Sequence, residues 1–581
     1  MCHDSRVRGS WLAVVVLVAC SGGGGAPAKP STFTPSSPRL PPLQPIDPNA
    51  RGAAYLTALA NQIQPRWAQF LEDCRLRLPG DHPLNMASLT ADFELVVAET
   101  GTLDLRLMQG SGNSDFDAAA LEVLRDVPAT PPPSELESDD GRVHVHWVFA
   151  RDRRQAGPAT AKVIAVELPL VATVQRLIER GALARAAKRL AAAPPTNTER
   201  VPATELVMIA ALREGLASSD GYTRLAALEA VARTKLAVLA PDVRRLIEAS
   251  GQIEERVQAI AASAALGDTR VLPTLADALE LELEDRPEIA LAKVSALVAL
   301  DHRDEAARAI RAALALPQRK RGVATAVAAL AILPDPKLAA ALATWFATGD
   351  AEVRQSVCKA LPTAAPGQAG TLIARGLRDA EASVRATCAL AAARRKSDQL
   401  AGKRVDRGDV AIIARLGELV RDRDEAVRAQ AVAALGALAP AQWPRAALQD
   451  RAARVRSAAA VGAPETELRV LVKDRDPDVR AAAVSAFIER APEPASEIAL
   501  VAARDQASQV RRVAIAGLAD DALLEKLAGD DDPEVATAAL ARYALRRGPA
   551  ASATQLLERL VAATPKSLER VRIARSWLLA R

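Results

Sequence analysis

The sequence predicts a mostly α-helical protein, an α-solenoid of stacked helix pairs preceded by a small α+β domain of order α-β-β-α-β. Three observations predict it. An acid, a short turn, a Val-Arg pair and an Ala/Leu/Val-rich run recur as one unit, in Asp350-Ala351-Glu352-Val353-Arg354, Asp424-Glu425-Ala426-Val427-Arg428 and Asp476-Pro477-Asp478-Val479-Arg480. Aromatics make up 3% of the chain against 50% for the whole hydrophobic set, which favours close packing of Ala- and Leu-rich helices. Period-2 alternation of apolar residues is confined to one early region, between residues 90 and 150. At 581 residues the chain is too long for one ordinary core, so a repeat array with an added domain is the expected organisation. Residues 1–19 read as a signal segment, 20–50 as a tether, 51–152 as the small domain and 160–581 as the array.

Arg6 and Arg8 give a basic start to the N-terminus, and Trp11 to Ala19 is an apolar run of nine residues. At about 1.5 Å per residue such a run cannot cross a hydrocarbon core of about 30 Å. It ends in Leu17-Val18-Ala19-Cys20, followed by Ser21 and Gly22 to Gly25. This resembles a bacterial lipobox. The resemblance implies cleavage before Cys20, acylation of Cys20, and attachment to the membrane through that lipid anchor. Ser21 stands where an Asp would favour inner-membrane retention, so the resemblance points to a periplasm-facing, outer-membrane protein. Gly22 to Asn49 is rich in Gly, Pro and Ser without apolar periodicity, which is the composition of a tether.

In the small domain, Tyr55, Leu59, Ile63 and Trp67 mark one face of a helix. Phe93 to Val97 reads as a strand, Glu99-Thr100-Gly101 as a hairpin turn and Leu103 to Met108 as the returning strand. Phe116 to Val127 reads as a second helix, with Asp115 as a candidate cap, ended by Pro128 and Pro131 to Pro133. Arg142 to Ala150 alternates, with Val143, Val145, Trp147 and Phe149 on one face.

These pieces, with the Gly110-Ser111-Gly112 loop, Phe116-Asp117-Ala118-Ala119-Ala120-Leu121 and Trp147-Val148-Phe149, resemble the C-terminal domain of the TonB family. The resemblance implies a periplasmic domain that grips extended peptides of other envelope proteins through its last strand. Strand addition uses the unpaired N–H and C=O groups of an exposed edge. Arg142, Val143, His144, Val145, His146, Trp147, Val148 and Phe149 are therefore the candidate peptide-binding edge. His144 and His146 share a strand face, but no nearby Cys, Asp or Glu completes a ligand set, so no metal is assigned. Cys74 reads as a buried thiol.

In the array, Leu170 to Ala193 reads as helical, with Gly181 splitting it into a pair. Val-Arg pairs then fall at Val353, Val384, Val427, Val455, Val479 and Val510, at spacings of 31, 43, 28, 24 and 31 residues. That period signals stacked helical repeats. Val427, Ala431, Ala434, Leu435 and Leu438 form an apolar stripe that one helix pair cannot hide alone. Asp or Pro in the turn suits a helix start.

The units resemble HEAT repeats, in particular the short kind also found in phycobilin lyases. The resemblance implies a superhelix of antiparallel helix pairs and an Asp–Arg ladder between repeats. It argues against reading Arg354, Arg385, Arg428, Arg456 and Arg480 as an anion-binding row. Cys358 and Cys388 lie in neighbouring repeats. A helix separation near 10 Å against a bridge's reach of about 7 Å favours two buried thiols.

The net charge is +5 from 75 basic and 70 acidic residues, and no basic stripe interleaves with aromatics, so nucleic acid is not an expected partner. Five histidines, one of them in the signal segment, leave little for acid–base catalysis. No nucleophile elbow, HExxH, Walker loop or dinucleotide fingerprint is present. The expectation is therefore a protein-binding scaffold of the cell envelope, not an enzyme. No catalytic residues, cofactor or small-molecule substrate are assigned. Two alternatives stand beside it: an energy transducer that keeps Trp11 to Ala19 as a membrane helix, and a lyase-like enzyme or subunit with a pocket at His302.

Overall fold

The computed structural model describes residues 46–152, 160–316, 318–399, 407–490 and 492–581. Contacts divide the chain into two compact units. Among the described residues, one comprises 46–137, 142–152 and 160–165, the other 138–141 and those from 166 to 581.

The first unit is built on helix α1 (Ala53–Arg77), the hairpin β1 (Thr90–Val97) and β2 (Leu103–Gln109), helix α2 (Ser114–Arg125), and strands β3 (Val143–Ala150) and β4 (Lys162–Ile164). The predicted α-β-β-α-β order is present, with β4 added after it. All strand pairings are antiparallel and the sheet order is β2-β1-β3-β4. The hairpin turns at Gly101, whose φ of +85° and position against the Thr130 backbone leave no room for a Cβ. Helix α2 starts two residues earlier than expected. Asn113, not Asp115, is its cap: the Asn113 Oδ1 accepts from the N–H groups of Asp115 and Phe116 at 3.0 and 3.1 Å. An Asn carbonyl caps as well as an Asp, and Asp115 then lies inside the first turn, where its charge suits the helix dipole.

The alternation read from sequence is the burial pattern observed. Phe93, Leu95, Val97, Val143, Val145, Trp147 and Phe149 point to a core closed by α1 and α2. Trp67 is at its centre, with ring centroids 4.7 Å from Phe149 and 5.1 Å from Phe116, both edge-on. Tyr55 is buried and its hydroxyl donates to the Thr130 carbonyl at 3.2 Å. Burial pushes its phenol up to about 12. Cys74 is a buried thiol, as expected, and burial raises its pKa.

The second unit is helical throughout. Leu170–Glu179 and Leu183–Ala191 form the first pair, parted at Gly181. From there a layer of helices, each packed on the next, runs through Gly221–Thr234, Ile253–Ala265, Pro287–Ala299, Lys320–Ala329, Ala351–Ala364 and Ala382–Gln399. It continues through Glu425–Leu438, Ala453–Ala459, Pro477–Arg490, Ser508–Ala514 and Pro533–Arg547 to Leu568–Ala580. Each helix pair hides its apolar stripe against the next, giving one large buried cluster with members from Leu170 to Leu578 and a second, smaller one between Ala429 and Phe487.

The layer does not end openly. Leu568–Ala580 packs on both Arg200–Leu216 and Gly221–Thr234, and Pro549–Ala562 packs on Leu183–Ala191. Trp577 is fully buried in this seam unit, and its Nε1 donates to the Pro549 carbonyl at 2.9 Å. Gly215 faces Val571 so closely that a Cβ there would lie 2.3 Å from the Val571 Cγ2. Arg570, buried, bonds Glu214 at 2.9 Å, Arg575 lies 3.4 Å from Glu229, and the Ser218 hydroxyl donates to the Lys566 carbonyl at 3.1 Å. The solenoid is thus a closed circuit, which the sequence did not announce.

Cys358 and Cys388 form a disulfide with a Cα–Cα distance of 5.2 Å, which corrects the expectation of two thiols. The separation near 10 Å applies to helix axes. Cα atoms lie about 2.3 Å off each axis, so two that face one another come within roughly 5–6 Å. Ala351–Ala364 and Ala382–Gln399 present these cysteines face to face.

Candidate functional site

The candidate edge is decided by which way each backbone group on β3 points. In an antiparallel ladder, hydrogen-bonded and non-hydrogen-bonded pairs alternate. The Arg151 N–H donates to the Leu89 carbonyl at 2.9 Å, which puts Phe149, Trp147, Val145 and Val143 in the bonded pairs with β1. His144, His146, Val148 and Ala150 therefore turn their N–H and C=O to the opposite side.

There, β4 pairs His144 with Ile164, Val145 with Val163 and His146 with Lys162. That stretch is covered, and the expected free edge is corrected for these three residues. The cause is a strand of only three residues, Lys162–Ile164, too short to announce itself by alternation. Beyond it, no strand among the described residues pairs with the side of β3 away from β1 at Val148 to Ala150. Arg142 is exposed and precedes the strand. The side chains of Val143, Val145, Trp147 and Phe149 are in the core, so what this edge presents is main chain, with Val148 half-buried on the opposite face.

His144 and His146 do share one face, as expected. Each meets a carboxylate of β1: His144 Nδ1 lies 2.7 Å from Glu94 Oε1, and His146 Nε2 lies 3.4 Å from Asp92 Oδ2. Glu94 also faces Arg106 of β2 at 3.5 Å. The sequence reading missed these carboxylates because they lie on another strand, opposite in register rather than near in sequence. The arrangement is a row of polar pairs across the sheet, with Arg106 and Glu94 oppositely charged, which favours the observed register.

The Val-Arg arginines are not an anion row. Arg354, Arg385, Arg428, Arg456, Arg480 and Arg511 each clasp one Asp of the following repeat through Nε and an Nη. The partners are Asp379, Asp422, Asp450, Asp474, Asp505 and Asp530. In the later rungs the remaining Nη donates to carbonyls of its own helix's leading turn, as Arg456 does to Asp450 at 2.9 Å. These acids were missed, although a signal exists. Each sits six residues before a Val-Arg arginine or its counterpart, and two before the residue that precedes the helix, which is an acid in some repeats and Ala452 or Ala507 in others. Asp474 is a ladder residue, and Asp476 accepts from the Asp478 N–H at 3.0 Å.

His302 precedes the helix Arg303–Leu314 and lies 3.8 Å from Glu305. Cys20, the signal segment and the tether up to residue 45 lie outside the described residues. No helix among the described residues is long and apolar enough to cross a membrane.

Residues 52–146 match the family described as TonB C terminal. No curated protein matches the chain. Among solved structures, an engineered protein is similar at 19% identity over 58% of this chain and 97% of its own, with a TM-score of 0.24. Kap121p is similar at 13% identity over 65% of this chain, which spans 52% of Kap121p, with a TM-score of 0.28. UNC-45 from Drosophila melanogaster is similar at 13% identity, covering 71% and 70% of the two chains, with a TM-score of 0.20.

Proposed function

We propose that the chain is a cell-envelope scaffold that binds other proteins and is not an enzyme. Its TonB-like sheet takes up extended peptides, and its repeats, which we read as HEAT-type, present a docking surface. The observation that carries this is the match over residues 52–146 to a family whose domains engage envelope proteins. Main-chain groups of Val148 and Ala150 on the side away from β1, which no strand among the described residues pairs, supply the chemistry. A peptide strand either continues the line of β4 past Lys162 or displaces it, and a pairing of three residues offers little resistance.

We read Cys20 as the lipid-bearing residue and the outer membrane as the location. The Cys358–Cys388 disulfide supports an oxidising compartment. Acyl labelling tests the anchor. Wild-type protein takes up labelled fatty acid and Cys20→Ala does not, whereas an unlabelled wild type refutes the anchor and leaves the peptide-binding reading standing.

The binding reading is tested by a photo-crosslinking residue at Val148 in intact envelopes. It captures a defined set of proteins, and a Lys162→Pro change, which weakens β4, increases capture. Copurification of the same partners by a tagged chain that lacks residues 51–152 shows that this unit is not the recognition module.

A further inference from the structure

The opposite edge of the same sheet carries a separate signal. Strand β2 is outermost in the order β2-β1-β3-β4, and Asp104, Arg106, Leu107, Met108 and Gln109 are exposed along it. Its outward backbone groups follow from the hairpin. The Ala98 N–H donates to the Thr102 carbonyl at 2.9 Å, so the bonded pairs with β1 are Ala98/Thr102, Val96/Asp104 and Glu94/Arg106. Leu103, Leu105 and Leu107 therefore direct their N–H and C=O away from the sheet. Natural edges of this kind carry an inward charge, a proline or a covering segment. The run Leu103-Asp104-Leu105-Arg106-Leu107 has neither proline nor lysine, and its charges lie on the face away from the core.

The run is also complementary to itself. Laid antiparallel against a second copy with Leu105 on the two-fold axis, Leu105 faces Leu105, Leu103 faces Leu107, and Asp104 faces Arg106 twice. The leucine pairs then fall at bonded positions, where all three outward N–H and C=O sets meet partners. The Asp104–Arg106 pairs fall at the non-bonded positions, where opposing side chains are closest. Moving the axis one residue either way sets Asp104 against Asp104 or Arg106 against Arg106. Charge and hydrogen bonding thus select one register.

We propose that two copies of this chain associate through β2, joining their sheets in the order β4-β3-β1-β2-β2-β1-β3-β4. This goes beyond the peptide-binding reading and does not depend on it, since it uses the other edge. The sheet offers Arg106 as a shared cation, 3.5 Å from Glu94 within its own copy and facing Asp104 of the second copy.

The test uses the full chain. Leu105→Cys places two thiols on the axis at a Cα separation of about 5.5 Å, within reach of a disulfide. Met108→Cys is more exposed than the half-buried Leu105 but lies off the axis, and serves as control. With an added thiol oxidant, Leu105→Cys is expected to give covalent dimer, while Met108→Cys and wild type do not. A pair of charge variants then tests the register. Asp104→Arg alone and Arg106→Asp alone each set like charges together and weaken self-association, measured by sedimentation, on the order of tenfold. Mixing the two restores association, because every facing pair is again opposite. Absence of a Leu105→Cys dimer overturns the proposal, as does equal crosslinking by Met108→Cys. If Arg106→Asp fails to fold because of Glu94, the crosslinking comparison and the loss with Asp104→Arg still decide the matter.

Discussion

Arg456 makes two bonds to Asp474, at 2.8 and 2.9 Å, and two to backbone carbonyls, at 2.9 and 3.3 Å, with 5% of its surface exposed. A planar guanidinium fits all four at once and a lysine does not. Arg456→Ala leaves a half-buried carboxylate and two carbonyls without their donor. A loss of about 2–4 kcal/mol in chemical denaturation of the helical unit is expected. Arg456→Lys recovers only part of it. Arg308→Ala, which breaks an exposed pair with Glu305, leaves stability unchanged within error. The same rungs set the response to acid. The guanidinium beside each of Asp450, Asp474, Asp505 and Asp530 holds its carboxyl below the usual range. A carboxylate depressed in the folded state contributes stability that is complete above the unfolded value of about 3.9 and is lost as pH falls through the folded value. Denaturation midpoints are therefore expected to hold steady from neutral pH down to about pH 5 and to drop below pH 4. Asp474→Asn lowers the plateau and flattens the drop; an unchanged drop would separate acid lability from the ladder.

Strands and helices differ in how much of their environment is written into their own residues. The helix starts were legible because the capping group is local: Asp424 accepts from the N–H groups of Ala426 and Val427, and Asp532 from Glu534 and Val535. The alternation at Val143 to Phe149 was legible for the same reason, since one face repeats every second residue. Whether a strand is an edge is not a property of its residues. It depends on what pairs beside it, and β4 took part of the expected site with three residues. The helix–helix seam was equally silent. Gly215→Ala puts a Cβ 2.3 Å from Val571 and 3.2 Å from Ala227, an overpacking expected to cost about 1–3 kcal/mol. Val571→Ala in the same chain relieves it, so the double change is less destabilising than the sum of the single ones. Additive losses in thermal or chemical unfolding would show that the two residues do not meet.

In the helical unit, closure changes how stability is shared. In an open solenoid the end repeats fray, because each contacts one neighbour only. Here the helices Arg200–Leu216 and Gly221–Thr234 are covered by Leu568–Ala580. Removing residues 568–581 is expected to strip amide protection from 200–234, far away in sequence, while Glu425–Leu438 keeps its own. Unchanged exchange at 200–234 would mean that the seam contributes nothing in solution. The sequence by itself determined the two-part architecture, the helix pairs, their caps and the apolar stripes, because each is a periodic or local demand of the backbone and of water. It named the arginines of the ladder and left their partners to be found. Only the tertiary structure decided the closed circuit, the Cys358–Cys388 bond and which strand of the sheet stays open. Those outcomes depend on how small rotations between repeats accumulate and on which distant segments come side by side, and no window of the chain carries that information.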